Sequence, residues 1–117
     1  CTVLLDDAAV CACLVPAAQV QGASIRTVEG LANGTLSALQ QSFLRHGAAQ
    51  CGICTPGFLV TAAALLEEDP QPDEQAVKDA LGGVLCRCTG YRNIARAVIQ
   101  AVADLKAQGK LALEKQP

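Results

Sequence analysis

The sequence predicts an α+β protein in which a short β-rich segment precedes a bundle of about four helices. β-branched and aliphatic runs are concentrated at the start of the chain, the segment 30–35 has the composition of a loop, and every periodic segment after it repeats with helical spacing. We therefore divide the chain into a β-rich segment 1–29, a linker 30–35, a helical segment 36–109 and a C-terminal tail 110–117.

The β-rich segment has the pattern of a small antiparallel sheet. In "CTVLLDDAAVCACLVPA" (1–17), aliphatic runs flank Asp6-Asp7, which predicts two short strands joined by a tight turn. The stretch "ASIRTVEG" (23–30) alternates enough to be a third strand. So small a sheet would expose its edges, and the chain begins with Cys1 rather than methionine. We therefore expect the chain to be a piece of a longer polypeptide.

The helices are predicted from apolar spacing and from start and stop residues. Gly47 ends the first helix, Thr55 caps the second with Pro56 behind it, and Asp73 caps the third. The second helix, to Glu68, is apolar nearly all round and should be buried. The residues that mark the apolar faces of the other helices are Leu36, Leu39, Phe43 and Leu44; Val77, Ala80, Leu81, Val84 and Leu85; and Tyr91, Ile94, Ala95, Val98, Val102 and Leu105.

Composition and charge exclude several classes of function. The chain is 51% hydrophobic, has a formal net charge of −2 and contains no run of like charges, so it folds and lacks the basic surface that nucleic acid requires. No apolar stretch reaches the ~18 to 20 residues that span a bilayer, and the N-terminus has no secretory signal pattern. We expect a soluble, cytoplasmic chain, with the periplasm reached only through a partner or an N-terminal signal missing here.

The cysteines carry the chemistry of this sequence. Cys51 and Cys54 form a C-x-x-C pair and Cys86 and Cys88 a C-x-C pair, and each pair stands just before a predicted helix start. The second helix extends roughly 20 Å at ~1.5 Å per residue, and the turn "DPQP" (69–72) returns the chain by a similar distance, so the pairs can meet. Helix N-termini carry partial positive charge, which favours an anionic metal–thiolate centre.

Several sites fit this set of thiols. Four cysteine ligands suit an iron–sulfur cluster, and the single histidine of the chain is not needed for one. A structural zinc site also takes four thiolates, although its usual ligand pairs are C-x(2–4)-C knuckles. A thioredoxin-type redox pair, disulfides and plain buried thiols remain further alternatives, although seven cysteines are an odd count for a complete disulfide framework. Spacing alone leaves these alternatives open.

The motifs "QCGICTPGFL" (50–59) and "LCRCTGY" (85–91) closely resemble the second [2Fe-2S] cluster of the molybdenum hydroxylases, the xanthine dehydrogenase and aldehyde oxidoreductase family. The stretch 1–17 is similar to that family's first cluster region, and "IRTVEGLA" (25–32) lies between the two as it does there. The resemblance implies the C-terminal half of a plant-type ferredoxin (β-grasp) domain, followed by a four-helix-bundle [2Fe-2S]-binding domain.

The resemblance also implies a ligand set. Cys51, Cys54, Cys86 and Cys88 would bind one [2Fe-2S] cluster, and Cys1 and Cys13 match the third and fourth ligands of another, whose first two ligands precede this chain. Cys11 is left over, and we interpret it as a buried thiol.

The function implied by the resemblance is electron transfer. Gln50 and Cys88 match positions that approach the pterin of the molybdenum cofactor. The chain would be the small iron–sulfur subunit, or N-terminal domain, of an oxidoreductase, passing electrons from a large molybdopterin-binding subunit through two clusters to a flavin, in a FAD-binding medium subunit, or to an external acceptor. It would hold no substrate site or catalytic residue, and it would dock through an apolar surface. The alternative is a structural zinc module that mediates protein interactions.

Overall fold

The computed structural model describes residues 1–32 and 34–109. Within these residues the strands are β1 (Thr2–Leu5), β2 (Ala8–Cys11) and β3 (Ile25–Arg26), and the helices are α1 (Ala38–Arg45), α2 (Thr55–Glu68), α3 (Glu74–Leu81) and α4 (Arg92–Ala107). Short 3-10 turns cover Ala12–Leu14, Ala17–Val20 and Val28–Leu31. The predicted α+β class is confirmed, whereas the predicted tail 110–117 lies outside the described residues.

The sheet is antiparallel in the order β2-β1-β3. Asp6 and Asp7 make the predicted turn between β1 and β2, with φ angles of 47° and 68°, and the Asp6 carboxylate accepts the backbone N–H of Ser24 at 2.9 Å. The third strand is shorter than predicted, because the chain turns into a 3-10 helix that sends Leu31 into the core. Our interpretation of Cys11 as buried is wrong: it lies exposed at the end of β2, which among the described residues pairs with β1 alone.

Helix α1 begins with a capping box formed by Ser37 and Gln40. Leu39 and Phe43 are buried in its contact with α4, as predicted, but Leu36 precedes the helix, and Leu36 and Leu44 are exposed. The predicted apolar face was therefore too wide. This eight-residue helix packs mainly against α4, so only one narrow stripe of its surface is buried.

Helix α2 occupies the centre of the molecule and is buried on most sides, as its all-round apolar sequence predicted. It contacts β1, α1, α3, α4 and the turn at Val28–Leu31. Its start differs from the prediction, since Cys54 rather than Thr55 is the N-cap residue and Pro56 lies one position further into the first turn. The Thr55 hydroxyl is buried and has no hydrogen-bond partner among the described residues.

Helices α3 and α4 cover the other side of α2. Asp73 caps α3 as predicted, accepting the N–H of Ala76 at 2.7 Å. The apolar spacing predicted that α3 would include Val84 and Leu85, but the helix ends at Leu81. The chain then turns through Gly82 and Gly83 and is not helical where the cysteines begin. In α4 the buried residues include the predicted Ile94, Val98, Val102 and Leu105, whereas Tyr91 lies just before the helix.

The sheet and the helices share one core, in which Leu4 and Leu31 join the buried residues of α1 to α4. Gly57 allows two other segments to pack close to α2. A Cβ atom at this position would lie 3.1 Å from Cγ1 of Val84 and 3.2 Å from Oγ1 of Thr2. Glycine therefore lets β1 and the 82–85 segment both approach the first turn of α2, which follows Cys54.

An ion pair ties the sheet to α2. The Arg26 guanidinium on β3 contacts the Glu67 carboxylate at 2.6 Å, and their side chains are only 15% and 6% exposed. Asp7 adds a second contact to Arg26 at 3.4 Å. The hydrogen bond to Glu67 raises the pKa of Arg26 against the opposing effect of burial. The pair therefore fixes the position of β3 against the C-terminal half of α2.

A Glu67→Ala variant is expected to lose about 2–3 kcal/mol of unfolding free energy. The substitution leaves the Arg26 guanidinium largely buried without its nearest carboxylate, and breaking such a pair from one side is strongly destabilising. Urea denaturation of the intact protein measures the change. Glu68→Ala is the matched control, because Glu68 is exposed and its loss should change stability by less than about 0.5 kcal/mol. Equal losses in the two variants would contradict the role given to this pair.

Candidate metal centre

Two loops bring the paired cysteines together at one end of the helices. Cys51 and Cys54 lie in the loop that enters α2, and Cys86 and Cys88 lie in the loop that enters α4. The Cys88 thiol donates to Sγ of Cys51 at 3.5 Å. Cys54 and Cys86 form a second pair, whose thiols are near enough for each to shift the pKa of the other. The sequence-predicted set therefore meets in space as two pairs, each with one member from either loop.

The thiols of the Cys54 and Cys86 pair differ sharply in acidity. The hydroxyl of Thr89 donates to Sγ of Cys86 at 3.0 Å and its backbone N–H donates at 3.3 Å. These donors stabilise the thiolate and lower the pKa of Cys86 to about 7. Burial, followed by the hydrogen bond to Cys86, raises the pKa of Cys54 to about 11. Cys86 is therefore the thiol of this pair that ionises near neutral pH.

The other pair is more exposed. The backbone N–H of Ile53 and then the Cys88 thiol lower the pKa of Cys51, whereas the hydrogen bond to Cys51 raises the pKa of Cys88. Gly52 has a φ of 85°, a conformation that glycine adopts without strain. This turn allows the loop to bring the N–H of Ile53 back to the sulfur two residues earlier.

Helix ends add favourable electrostatics to the site. Helix α2 begins immediately after Cys54, and α4 begins at Arg92, shortly after Cys88. The N-terminus of a helix carries roughly half a positive charge, which stabilises anionic groups placed there. A set of thiolates is therefore better tolerated here than at the opposite end of the helices.

Tyr91, which the sequence placed on the apolar face of the last helix, instead closes the second cysteine loop. The Tyr91 hydroxyl oxygen accepts the backbone N–H of Cys86 at 3.0 Å, and the Tyr91 N–H donates to the Thr89 hydroxyl oxygen at 3.2 Å. Tyr91 adopts the left-handed conformation, with φ of 68°, which costs about 1–2 kcal/mol for a residue with a side chain. No sequence signal other than the preceding Gly90 pointed to this geometry.

The remaining predicted site residues lie on the surface. Gln50 is exposed directly before Cys51, and its side-chain amide makes no hydrogen bond within the described residues. Cys1 and Cys13 are also exposed. The backbone N–H of Ala12 donates to the carbonyl oxygen of Cys1 at 2.7 Å, which brings the start of β1 beside the turn that follows β2. Cys1 and Cys13 therefore share one end of the sheet.

Apolar side chains flank the cysteines without being covered. Ile53, between the first pair, is 87% exposed, and Leu85, directly before the second pair, is 83% exposed. Leu14, beside Cys13, is 79% exposed. Ile53 and Leu85 thus leave apolar surface exposed on each of the two loops that carry the paired cysteines.

Within 1–32 and 34–109, no group of three or more His, Cys, Asp or Glu side chains has the arrangement of a site for a single metal ion. None of the helices in the same residues combines the length and the apolar character that crossing a bilayer demands.

Comparison with known proteins identifies the family. The sequence pattern of the [2Fe-2S] binding domain matches residues 27–99. The nicotine 6-hydroxylase small subunit of Paenarthrobacter nicotinovorans is 57% identical over 105 residues, which are 90% of this chain and 64% of that subunit. The chain thus spans slightly less than two thirds of that relative.

Solved structures agree with the sequence comparison. Quinoline 2-oxidoreductase from Pseudomonas putida 86 superposes with a TM-score of 0.85 at 49% identity, over 94% of this chain and 69% of that one. Aldehyde oxidoreductase from Desulfovibrio gigas superposes with a TM-score of 0.87 at 39% identity, over 92% of this chain and 12% of that one. The chain belongs to the [2Fe-2S] binding domain family, and its predicted membership of the xanthine dehydrogenase and aldehyde oxidoreductase family is confirmed.

Proposed function

We propose that Cys51, Cys54, Cys86 and Cys88 bind one [2Fe-2S] cluster, and that the chain transfers electrons within a molybdenum-cofactor-dependent hydroxylase or dehydrogenase. The observation that carries this proposal is the meeting of the two cysteine loops in two thiol pairs. A [2Fe-2S] cluster takes four cysteine thiolates, and when bound it supplies reversible one-electron chemistry.

The pairing supports a particular distribution of ligands. Metal–thiolate bonds of about 2.3 Å in tetrahedral geometry place two sulfurs on one metal roughly 3.8 Å apart. The 3.5 Å between Sγ of Cys51 and Sγ of Cys88 is close to that spacing. We therefore propose that Cys51 and Cys88 share one iron, and that Cys54 and Cys86 share the other.

The surroundings of the thiols suit the charge of such a site. The N-terminus of α2 lies at Cys54. The Ile53 N–H donates to the Cys51 sulfur, and the hydroxyl and N–H of Thr89 both donate to the Cys86 sulfur. Hydrogen bonds to cluster sulfurs are one of the means by which a protein sets the reduction potential. The buried Thr55 hydroxyl, which lacks a partner among the described residues, is a further donor beside Cys54.

We propose that Gln50 and Cys88 form the contact with the pterin of the molybdenum cofactor. Gln50 is exposed, its amide is not engaged within the described residues, and an amide offers both donors and an acceptor to the edge of a heterocycle. Cys88 is likewise exposed. These two residues are therefore available to a molecule held by a partner.

We propose that Cys1 and Cys13 are two of the ligands of a further [2Fe-2S] cluster, completed by residues that this sequence does not contain. Their shared position at one end of the sheet supports this role. On this proposal, residues 1–29 are the C-terminal half of a β-grasp ferredoxin domain, 30–35 are the linker and 36–109 are the four-helix [2Fe-2S] domain.

The activity proposed for the whole protein follows from these sites. Electrons released at a molybdopterin centre, in a large subunit or domain, would leave through the two clusters to a flavin, in a FAD-binding subunit, or to an external acceptor. The chain itself would bind no substrate. The names of the relatives, which include a nicotine hydroxylase and a quinoline oxidoreductase, support an oxidoreductase complex but do not select a substrate for this chain.

Metal analysis of protein purified under anaerobic conditions tests this function. We expect about two iron atoms and two acid-labile sulfides for the helical site, a red-brown colour, and visible absorption that dithionite bleaches. A colourless protein with stoichiometric zinc would contradict the proposal and favour the alternative, a structural zinc module for protein interactions. Molybdenum in a purified complex that contains this chain would identify the large partner.

A further inference from the structure

Tyr91 has a backbone conformation unlike that of the other N-cap residues. It is the N-cap residue of α4 with φ of 68° and ψ of −25°, and its side chain makes no capping hydrogen bond. The N-cap residues of α1 and α3, Ser37 and Asp73, have the extended conformation usual for this position. A left-handed aromatic residue is a genuine outlier, and such outliers persist where the surrounding structure requires them.

The unusual conformation turns Tyr91 back onto the cysteine loop. Its hydroxyl oxygen accepts the N–H of Cys86 at 3.0 Å. Its own N–H donates to the hydroxyl oxygen of Thr89, and the Thr89 hydroxyl donates to Sγ of Cys86 at 3.0 Å. The two ends of Tyr91 therefore act on the same cysteine, one through the backbone N–H and the other through the sulfur.

Packing alone does not fix the tyrosine ring. Tyr91 is 42% exposed, and together with Val84 and Ile94 it lines a cavity of about 290 Å³. Its ring contact is an edge-on approach to Phe58, at 6.1 Å between centroids and 74° between planes. Phe58 is completely buried in α2, so this contact is an anchor on a rigid element. The hydrogen bonds to the loop then determine where the hydroxyl lies.

We infer that Tyr91 is a positioning residue that holds Cys86 in place for its metal and that engages the Cys86 N–H with its phenol oxygen. The inference rests on the proposed [2Fe-2S] function and goes beyond it. An N–H that donates to a cluster sulfur stabilises the reduced, more negative state and raises the reduction potential. Because the Cys86 N–H donates to the phenol oxygen, it is not free to donate to a cluster sulfur, and removal of that oxygen should raise the potential.

The test is an EPR-monitored redox titration of the full protein carrying Tyr91→Phe. The signal followed is the one that disappears in a Cys54→Ala variant. Phenylalanine keeps the ring and its contact with Phe58 but removes the acceptor of the Cys86 N–H. We expect a folded protein with a higher midpoint potential and changed g values for this signal. Reduced iron content in a protein with a native circular dichroism spectrum would also support positioning of Cys86.

Tyr91→Asn is the second variant, and Ser42→Ala is the control. Tyr91→Asn accepts the left-handed backbone more readily but is too short to reach Cys86, so its potential should also rise. The control is Ser42→Ala, which removes the buried hydrogen bond from the Ser42 hydroxyl to the carbonyl oxygen of Ala97 at 2.7 Å and does not touch the cysteine loops. Its potential should match that of the wild type.

The iron content of the wild type tests the proposed function, and the potentials of the Tyr91 variants test the role of Tyr91. Wild-type protein without iron or an EPR signal would overturn both. Wild-type protein with a normal cluster, together with unchanged potentials and g values in Tyr91→Phe and Tyr91→Asn, would overturn the role of Tyr91 alone. An equal shift in Ser42→Ala would also overturn it, because general destabilisation would then explain the result.

Discussion

A Cys54→Ala protein is expected to lose the cluster of the helical segment completely. Cys54 is the N-cap residue of α2 and is paired with Cys86, so alanine removes one of the two thiolates proposed for the same iron. Cys86 alone cannot complete the coordination of that iron. Iron and acid-labile sulfide should fall by about two atoms each per chain, and the EPR signal of this cluster should be absent.

The chain provides a matched control for this substitution. Cys11→Ala makes the same chemical change to an exposed thiol at the end of β2, outside the proposed ligand set. This variant should retain the iron content and spectrum of the wild type. The ligand set would be contradicted by a Cys54→Ala protein with the full iron content, or by equal losses in the two variants.

The sequence predicted the elements whose signals are local. Aliphatic runs on either side of Asp6-Asp7 identified the first two strands, Asp73 identified the start of α3, and the all-round apolar sequence identified α2 as the buried helix. The convergence of the cysteine pairs was also predictable, because two helices joined by a tight turn must bring their outer ends together. These predictions depend on chain geometry that neighbouring residues determine.

The details around the cysteines were not predictable in the same way. Apolar spacing continued α3 through Val84 and Leu85, but the helix ends earlier so that Cys86 and Cys88 lie on a loop. Thr55 is a residue type typical of the N-cap position, yet it is the first residue of α2. The left-handed conformation of Tyr91 depends on the Cys86 N–H and on Phe58, which contact it only after folding. A pattern in one segment carries no information about such partners.

Apolar patterns also could not show which side chains the fold leaves uncovered. Leu44 and Leu85 fit helical spacing as well as Leu39 and Val77 do, but the first two are exposed and the last two are buried. The difference depends on which elements pack against each position. Leu85 and Ile53 are exposed beside the thiols, so they are the apolar positions at which the proposed molybdopterin-binding partner would dock.

A double variant, Ile53→Asp with Leu85→Asp, is expected to abolish stable association with the proposed molybdenum-containing partner. Burying an aliphatic side chain of this size contributes about 1.5–3 kcal/mol, and an aspartate at the same place must be desolvated. A combined loss of about 4 kcal/mol weakens binding ~10³-fold. Pull-down and sedimentation of the purified complex, with molybdenum content as the marker of the partner, measure the change.

A conservative double variant and the iron content of the aspartate variant are the controls for this docking prediction. Ile53→Leu with Leu85→Ile keeps both side chains apolar and should leave association close to that of the wild type. Because both residues are more than four-fifths exposed, the aspartate variant should fold and retain its iron. Retained cluster with lost association places these residues on the docking surface. Unchanged association in the aspartate variant would show that the partner binds elsewhere, and loss of iron would show that the two residues support the cysteine loops.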